Sequence, residues 1–113
     1  MKLAICVATM REAPDGVDRS GVATMFGNPG PGDIALATSN STTWPEVYVK
    51  YNTSGNNTGV VGSYQLLYEK ATEDILCFMH DDLIIRERGW DERVLAEFRD
   101  ETVGVVGFGG ALQ

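Results

Sequence analysis

Residues 75–82, ILCFMHDD, run from five apolar side chains straight into His80, Asp81 and Asp82. This histidine is the chain's only one. Two adjacent carboxylates repel one another unless positive charge is supplied, and a divalent cation is the usual source. Neighbouring side chains on an extended chain point apart, so one carboxylate would face the cation and the other a second group. Mg²⁺ or Mn²⁺ held by so few protein oxygens keeps positions open for phosphate, which points to a diphosphate-bearing ligand. The same residues also fit a plain polar turn in which Asp81 or Asp82 caps the backbone that follows.

Chemistry at a strand end requires strands to place it. LAICVAT at 3–9 is a continuous apolar run of strand length, the pattern of a strand covered on both faces. IALATS at 34–39 and EVYVKYN at 46–52 favour strand, the second with Val47, Val49 and Tyr51 alternating against Tyr48 and Lys50. ILCFM at 75–79 and VGVVGF at 103–108 add two further strands. Between Arg11 and Asp33 the Pro and Gly content predicts turns, with one short helix near residues 17–26. NTSGNNTG at 52–59 is a loop by composition, entering a helix near Gly59 whose apolar spacing puts Tyr64, Leu67 and Tyr68 toward the core. A second helix starts near Gly89, with Trp90, Val94, Leu95 and Phe98 on one face and Asp91 and Glu92 in its first turn. Trp90 is in phase with this apolar face, which favours packing over stacking on a sugar. The order predicts an α/β fold with an open, mostly parallel sheet and flanking helices. In such sheets ligands bind outside the carboxyl ends of the strands, which is where His80, Asp81 and Asp82 fall.

The chain has 113 residues, enough for one domain with a modest core, and its 43% hydrophobic and 22% charged residues are those of a globular protein. A net charge of −7 argues against nucleic acid or an anionic membrane surface as partner. Residues 1–60 hold four basic against five acidic side chains, and residues 61–113 five against eleven, so the acidity gathers around the opening motif. Most of Glu69, Glu73, Glu87, Asp91, Glu92, Glu97 and Glu101 read as solvated helix surface. Cys6 and Cys77 sit in apolar runs as buried free thiols, and the N-terminus carries neither a signal peptide nor a membrane span, so a cytoplasmic location is expected.

Residues 56–111, NNTGVVGSYQLLYEKATEDILCFMHDDLIIRERGWDERVLAEFRDETVGVVGFGGA, resemble the central portion of family-2-like glycosyltransferases with the GT-A fold. The likeness lies in the order of an Asn/Gly loop, a helix running into A-x-x-D-I-L-x-F, an acidic triplet, a GW helix start and the strand VGVVGFGGA. It implies a Rossmann-like nucleotide-binding half, and transfer of a sugar from a nucleoside-diphosphate sugar to an unknown acceptor, assisted by Mn²⁺ or Mg²⁺. Asp82 matches the last acidic position of the family's Asp-x-Asp motif, the metal ligand. Asp81 matches the middle position and would face the ribose or donor sugar. His80 stands where the family more often has Asp, and a histidine there hydrogen-bonds more readily than it ligates. Thr9 and Arg11 match the loop that embraces the nucleotide, where an Arg offsets diphosphate charge. Asn52 falls where the family often has an acidic residue reading the base, and Gly59 and Ser63 where a helix start approaches the donor.

The family's general base lies downstream of the segment matched by GFGGA, so residues 1–113 are expected to form a single nucleotide-sugar-binding domain lacking the acceptor-binding half. A homo-oligomer is one way such a chain would cover exposed apolar surface. The alternative is a non-catalytic ligand-binding module, receiver-like, in which the acidic pair holds Mg²⁺. That reading wants another Asp at the end of a second central strand and a later Lys.

Overall fold

The computed structural model describes residues 1–17, 19–25, 34–53 and 55–107. In chain order the elements are β1 (Leu3–Thr9), β2 (Val22–Thr24), α1 (Ile34–Ser39), β3 (Glu46–Tyr51), α2 (Gly59–Lys70), β4 (Ile75–His80) and α3 (Trp90–Glu97). The strands form one sheet in the order β2-β3-β1-β4. The apolar run of β1 places it centrally, parallel to both β3 and β4, while β2 runs antiparallel along the outer edge of β3. Thr9 pairs with Tyr51 and Ala8 with His80, so three parallel strands end together at one rim.

Alternation divides the core between two faces. Leu3, Ile5, Val7, Val47, Val49, Tyr51, Cys77 and Met79 pack with Ile34 and Ala37 of α1 and Trp90 and Val94 of α3. Ala4, Cys6 and Tyr48 pack with Leu67 of α2 on the opposite face. Burying each large apolar side chain contributes about 1.5–3 kcal/mol, and that fixes the strand register. Burial also pushes the thiols of Cys6 and Cys77 up to about 12, with Cys77 and Glu73 adding to the effect on Cys6. Both cysteines are free.

Five expectations are corrected, the last of them, Asp91, below. Residues 34–39 are helical: Ile34 and Ala37, three apart, are both buried, and Thr38 and Ser39 direct their hydroxyls to the carbonyls of Ile34 and Leu36. A short apolar run suits either state, and packing of one face decided it. The region near 17–26 holds β2 at Val22–Thr24, because the edge of β3 offers a pairing partner; residues 18 and 26 lie outside the described set. Residues 103–107 form no strand, since strand propensity without an adjacent edge supplies no ladder; Phe108 lies outside the described set. Tyr68 is 60% exposed, whereas Leu67 is buried and Tyr64 packs its ring 5.2 Å from that of Phe78.

Trp90 is buried and its indole N–H donates to the Ala37 carbonyl at 2.8 Å, joining α3 to α1. Asp91, expected at the surface, is fully buried. Its carboxylate accepts from the backbone N–H groups of Thr42 and Thr43 at 3.1 and 2.8 Å and from the Thr43 hydroxyl at 2.6 Å. Burial alone would raise its pKa, but these hydrogen bonds outweigh it and hold the group below its ordinary value. Among the described residues no helix is long and apolar enough to cross a membrane.

Candidate functional site

The rim where β1, β3 and β4 end collects the sequence-selected residues. Beyond β4 the chain turns, with the Leu83 N–H donating to the His80 carbonyl at 3.2 Å, so Asp81 and Asp82 occupy the two central positions of the turn. The next stretch is fastened to the end of α1: the Asn40 side chain donates to the Ile85 carbonyl at 2.9 Å, and the Gly89 N–H to the Asn40 carbonyl at 2.7 Å. Gly89 has φ +79, a left-handed conformation suited to glycine, and this lets the chain swing into α3.

The two carboxylates have different surroundings. Asp81 accepts the Thr9 hydroxyl at 2.5 Å and lies 3.4 Å from the Arg11 Nε. The Arg11 backbone N–H in turn donates to the Thr9 hydroxyl at 3.0 Å, so Thr9, Arg11 and Asp81 form one cluster bridging β1 and β4. Thr9 is buried, while about half of the Arg11 side chain remains exposed. Asp82 is exposed and makes no hydrogen bond or ion pair with the described residues. His80 is also exposed at the end of β4.

Across β1, the end of β3 carries a second cluster. The Asn52 N–H donates to the Thr9 carbonyl at 2.7 Å, which ties the two strand ends together. The Asn52 side chain is buried and engaged at both ends: Nδ2 donates to the Ser63 hydroxyl at 2.7 Å, and Oδ1 accepts from the Lys50 ammonium at 3.1 Å and the Thr58 N–H at 3.2 Å. Ser63, fully buried on α2, donates its hydroxyl to the Gly59 carbonyl at 2.6 Å. Gly59 opens α2 at φ +73, and its N–H is taken by the Asn57 side chain at 2.8 Å. Asn52 and Ser63 therefore meet each other inside the structure, and Asp81, Thr9 and Arg11 meet at the surface, with Thr9 belonging to both groups. Lys50 and Thr58 join the Asn52 cluster without having been singled out in the sequence. The available signal was a lysine set between the aromatic and apolar residues Val47, Tyr48, Val49 and Tyr51 of β3.

Among the described residues no group of three or more His, Cys, Asp or Glu side chains is arranged to hold a metal. The donor set still fits Mg²⁺ or Mn²⁺ arriving with a diphosphate, since such ions commonly take one or two carboxylates and fill the remainder with phosphate oxygens and water. Asp82 is the uncommitted carboxylate. A groove of about 420 Å³ lies past the turn between Leu83, Ile85, Trp90 and Val94, and neither Asp81 nor Asp82 lines it. Asp81, Asp82 and the ends of β1, β3 and β4 converge instead at the rim.

A strand-end acidic turn on an open, mostly parallel sheet coincides with a sequence match to the glycosyl transferase family 2 model over residues 35–111, well over half of the chain. The chain belongs to glycosyl transferase family 2. The match begins within α1 and takes in β3, α2, β4 and α3. No curated protein and no solved structure matches the chain significantly. Membership and architecture agree on a GT-A-like glycosyltransferase domain, for which a nucleotide-sugar donor and an acceptor are the implied ligands. The receiver-like alternative is not favoured: β1 ends on Thr9 and β3 on Tyr51, so the second strand-end Asp it wants is missing from both.

Proposed function

We propose that the rim formed by β1, β3 and β4 binds a nucleoside-diphosphate sugar and that the domain serves transfer of the sugar to an acceptor. Carrying this reading is the unequal state of the two turn carboxylates: Asp81 is consumed by Thr9 and Arg11, while Asp82 stands exposed and uncommitted beside it. Asp82 would hold Mg²⁺ or Mn²⁺, which when bound offsets charge on the diphosphate leaving group. Arg11, oriented by Asp81, presents the rest of its guanidinium toward the same anion. Asp81 and His80 flank the donor, and Gly59 begins the helix whose first turn approaches it. Asn52 and Ser63 support the nucleotide side through the backbone they fix. As a single domain the chain supplies the donor site. The buried free thiols fit a reducing, cytoplasmic setting.

Calorimetry with UDP and GDP, each with and without Mn²⁺, tests this. Binding is expected only when metal is present. Asp82→Asn should weaken it by more than about 100-fold, beyond the loss of a partner that merely orients a ligand. Stability should change by no more than about 0.5 kcal/mol, as for other exposed positions. Binding unaffected by the substitution would remove Asp82 from the site, and a response to Mg²⁺ alone, indifferent to nucleotide, would favour a non-catalytic metal-binding module.

A further inference from the structure

Lys50 is fully buried in β3. A desolvated ammonium is costly unless its donors are met, and here they are met by oxygens from several chain segments. Nζ donates to the Tyr51 carbonyl at 3.0 Å, the Asn56 carbonyl at 2.7 Å and the Asn52 side-chain oxygen at 3.1 Å, with the Arg19 carbonyl at 3.5 Å. The chain entering β2, the end of β3 and the loop leading to α2 are gathered on one cation.

The Asn52 amide is oriented by that contact. With Oδ1 turned toward Lys50 and the Thr58 N–H, Nδ2 faces Ser63. The Thr58 hydroxyl, 2.8 Å from Ser63 Oγ and 3.3 Å from Asn52 Oδ1, closes the cluster. β3 and β4 flank β1, so this cluster and Asp82 lie on opposite sides of the central strand, about 10 Å apart at the usual strand spacing. A nucleoside diphosphate laid across the rim with its pyrophosphate at Asp82 puts its nucleoside over the end of β3.

We propose that Lys50 is the positioning residue of the nucleoside side of the rim: it holds Asn52 and residues 55–58 in the conformation that receives the nucleoside, without touching the ligand. This rests on the donor-binding reading above. The charge-assisted bonds of a buried ammonium are stronger than neutral ones, so the loop's shape depends on Lys50 more than on any hydroxyl in the cluster. The Lys50 contacts to Arg19, Tyr51, Asn52 and Asn56 all lie on the β2–β3 side, and the pyrophosphate end is set by the turn after β4.

Two probes separate the ends of the site: Mn²⁺ with UDP or GDP, and Mn²⁺ with inorganic pyrophosphate. Lys50→Met should lower nucleoside-diphosphate affinity at least about tenfold while leaving pyrophosphate affinity within about twofold, whereas a merely structural role would move both together. Thr58→Val keeps the buried cation and removes one hydroxyl, and it should show the same selectivity at about threefold. Equal loss for both ligands, or none, in Lys50→Met overturns the assignment. If that variant does not fold, an unchanged nucleoside-diphosphate affinity in Thr58→Val overturns it instead. Wild-type protein that binds pyrophosphate as tightly as UDP and GDP also overturns it. Wild-type protein that binds neither probe overturns the donor-site reading itself.

Discussion

Lys50 and Asp91 are both fully buried ions, and each fastens a loop, yet they stand at different ends of the fold. Asp91, at the start of α3, gathers the N–H groups of Thr42 and Thr43 and so fixes the chain entering β3. Lys50, near the end of β3, gathers carbonyl oxygens and fixes the chain leaving it. The physics is the same, a buried charge surrounded by complementary backbone dipoles. The consequence differs because only one of the two loops borders the rim where parallel strands terminate. Asp91 is scaffold, and Lys50 is scaffold whose shape the ligand would feel.

The sharpest way to break this contrast is Asp91→Ala. It strips the partners from two backbone N–H groups and a hydroxyl in a buried site, and should cost about 3 kcal/mol in urea unfolding. Nucleotide affinity of the folded fraction should be unchanged; a drop like that expected for Lys50→Met would erase the distinction. The folded pKa of Asp91 lies below its ordinary 3.8, so its contribution is fully present above that value and is lost as pH falls through the lower folded value. Urea midpoints across pH 2–5 should show that loss in wild type and a smaller one in the variant.

Trp90→Phe probes the same scaffold more gently. It removes the hydrogen bond to Ala37 and part of a buried ring, and about 2 kcal/mol of destabilisation is expected without any change in metal-dependent binding. The smallest effect should come from Glu46→Gln at the start of β3. One carboxylate oxygen of Glu46 is buried without a partner among the described residues, and burial, then the nearby Glu73, raise its pKa from 4.5. A raised carboxylate stabilises the fold below pH 4.5 and loses that contribution as pH climbs through the folded value. The glutamine variant should therefore gain about 0.5 kcal/mol at pH 7 and nothing below pH 4.5, read as thermal midpoints at the two pH values.

How far the residues disclosed the fold depended on what each element needed. β1, β3 and β4 were legible because their apolar runs and alternation match the two faces they bury. α2 and α3 were legible from helical spacing together with the glycines that precede or open them. IALATS was misread because six mixed residues satisfy either period, and only the docking of Ile34 and Ala37 on the sheet selects the helix. VGVVG at 103–107 has the composition of a strand but no partner among the described strands. At the candidate site, the strand-end position of Asp81 and Asp82 and their facing apart were readable, but the partners that occupy Asp81 were not. They are Thr9 and Arg11, some seventy residues away in sequence and adjacent only because β1 pairs with β4. Asp91 was misjudged for a related reason: a carboxylate in a helix's first turn looks solvated until a distant turn folds over it.

By itself the sequence determined that the chain builds an α/β sheet with an acidic turn where a strand stops, since apolar run length and its abrupt polar end are local properties. It also carried enough ordered motif to announce the glycosyltransferase family. What engages Asp81, and which buried ions hold loops at the rim rather than behind it, were decided only by tertiary structure. Hydrogen bonding acts over about 3 Å of space, and distance along the chain does not encode it.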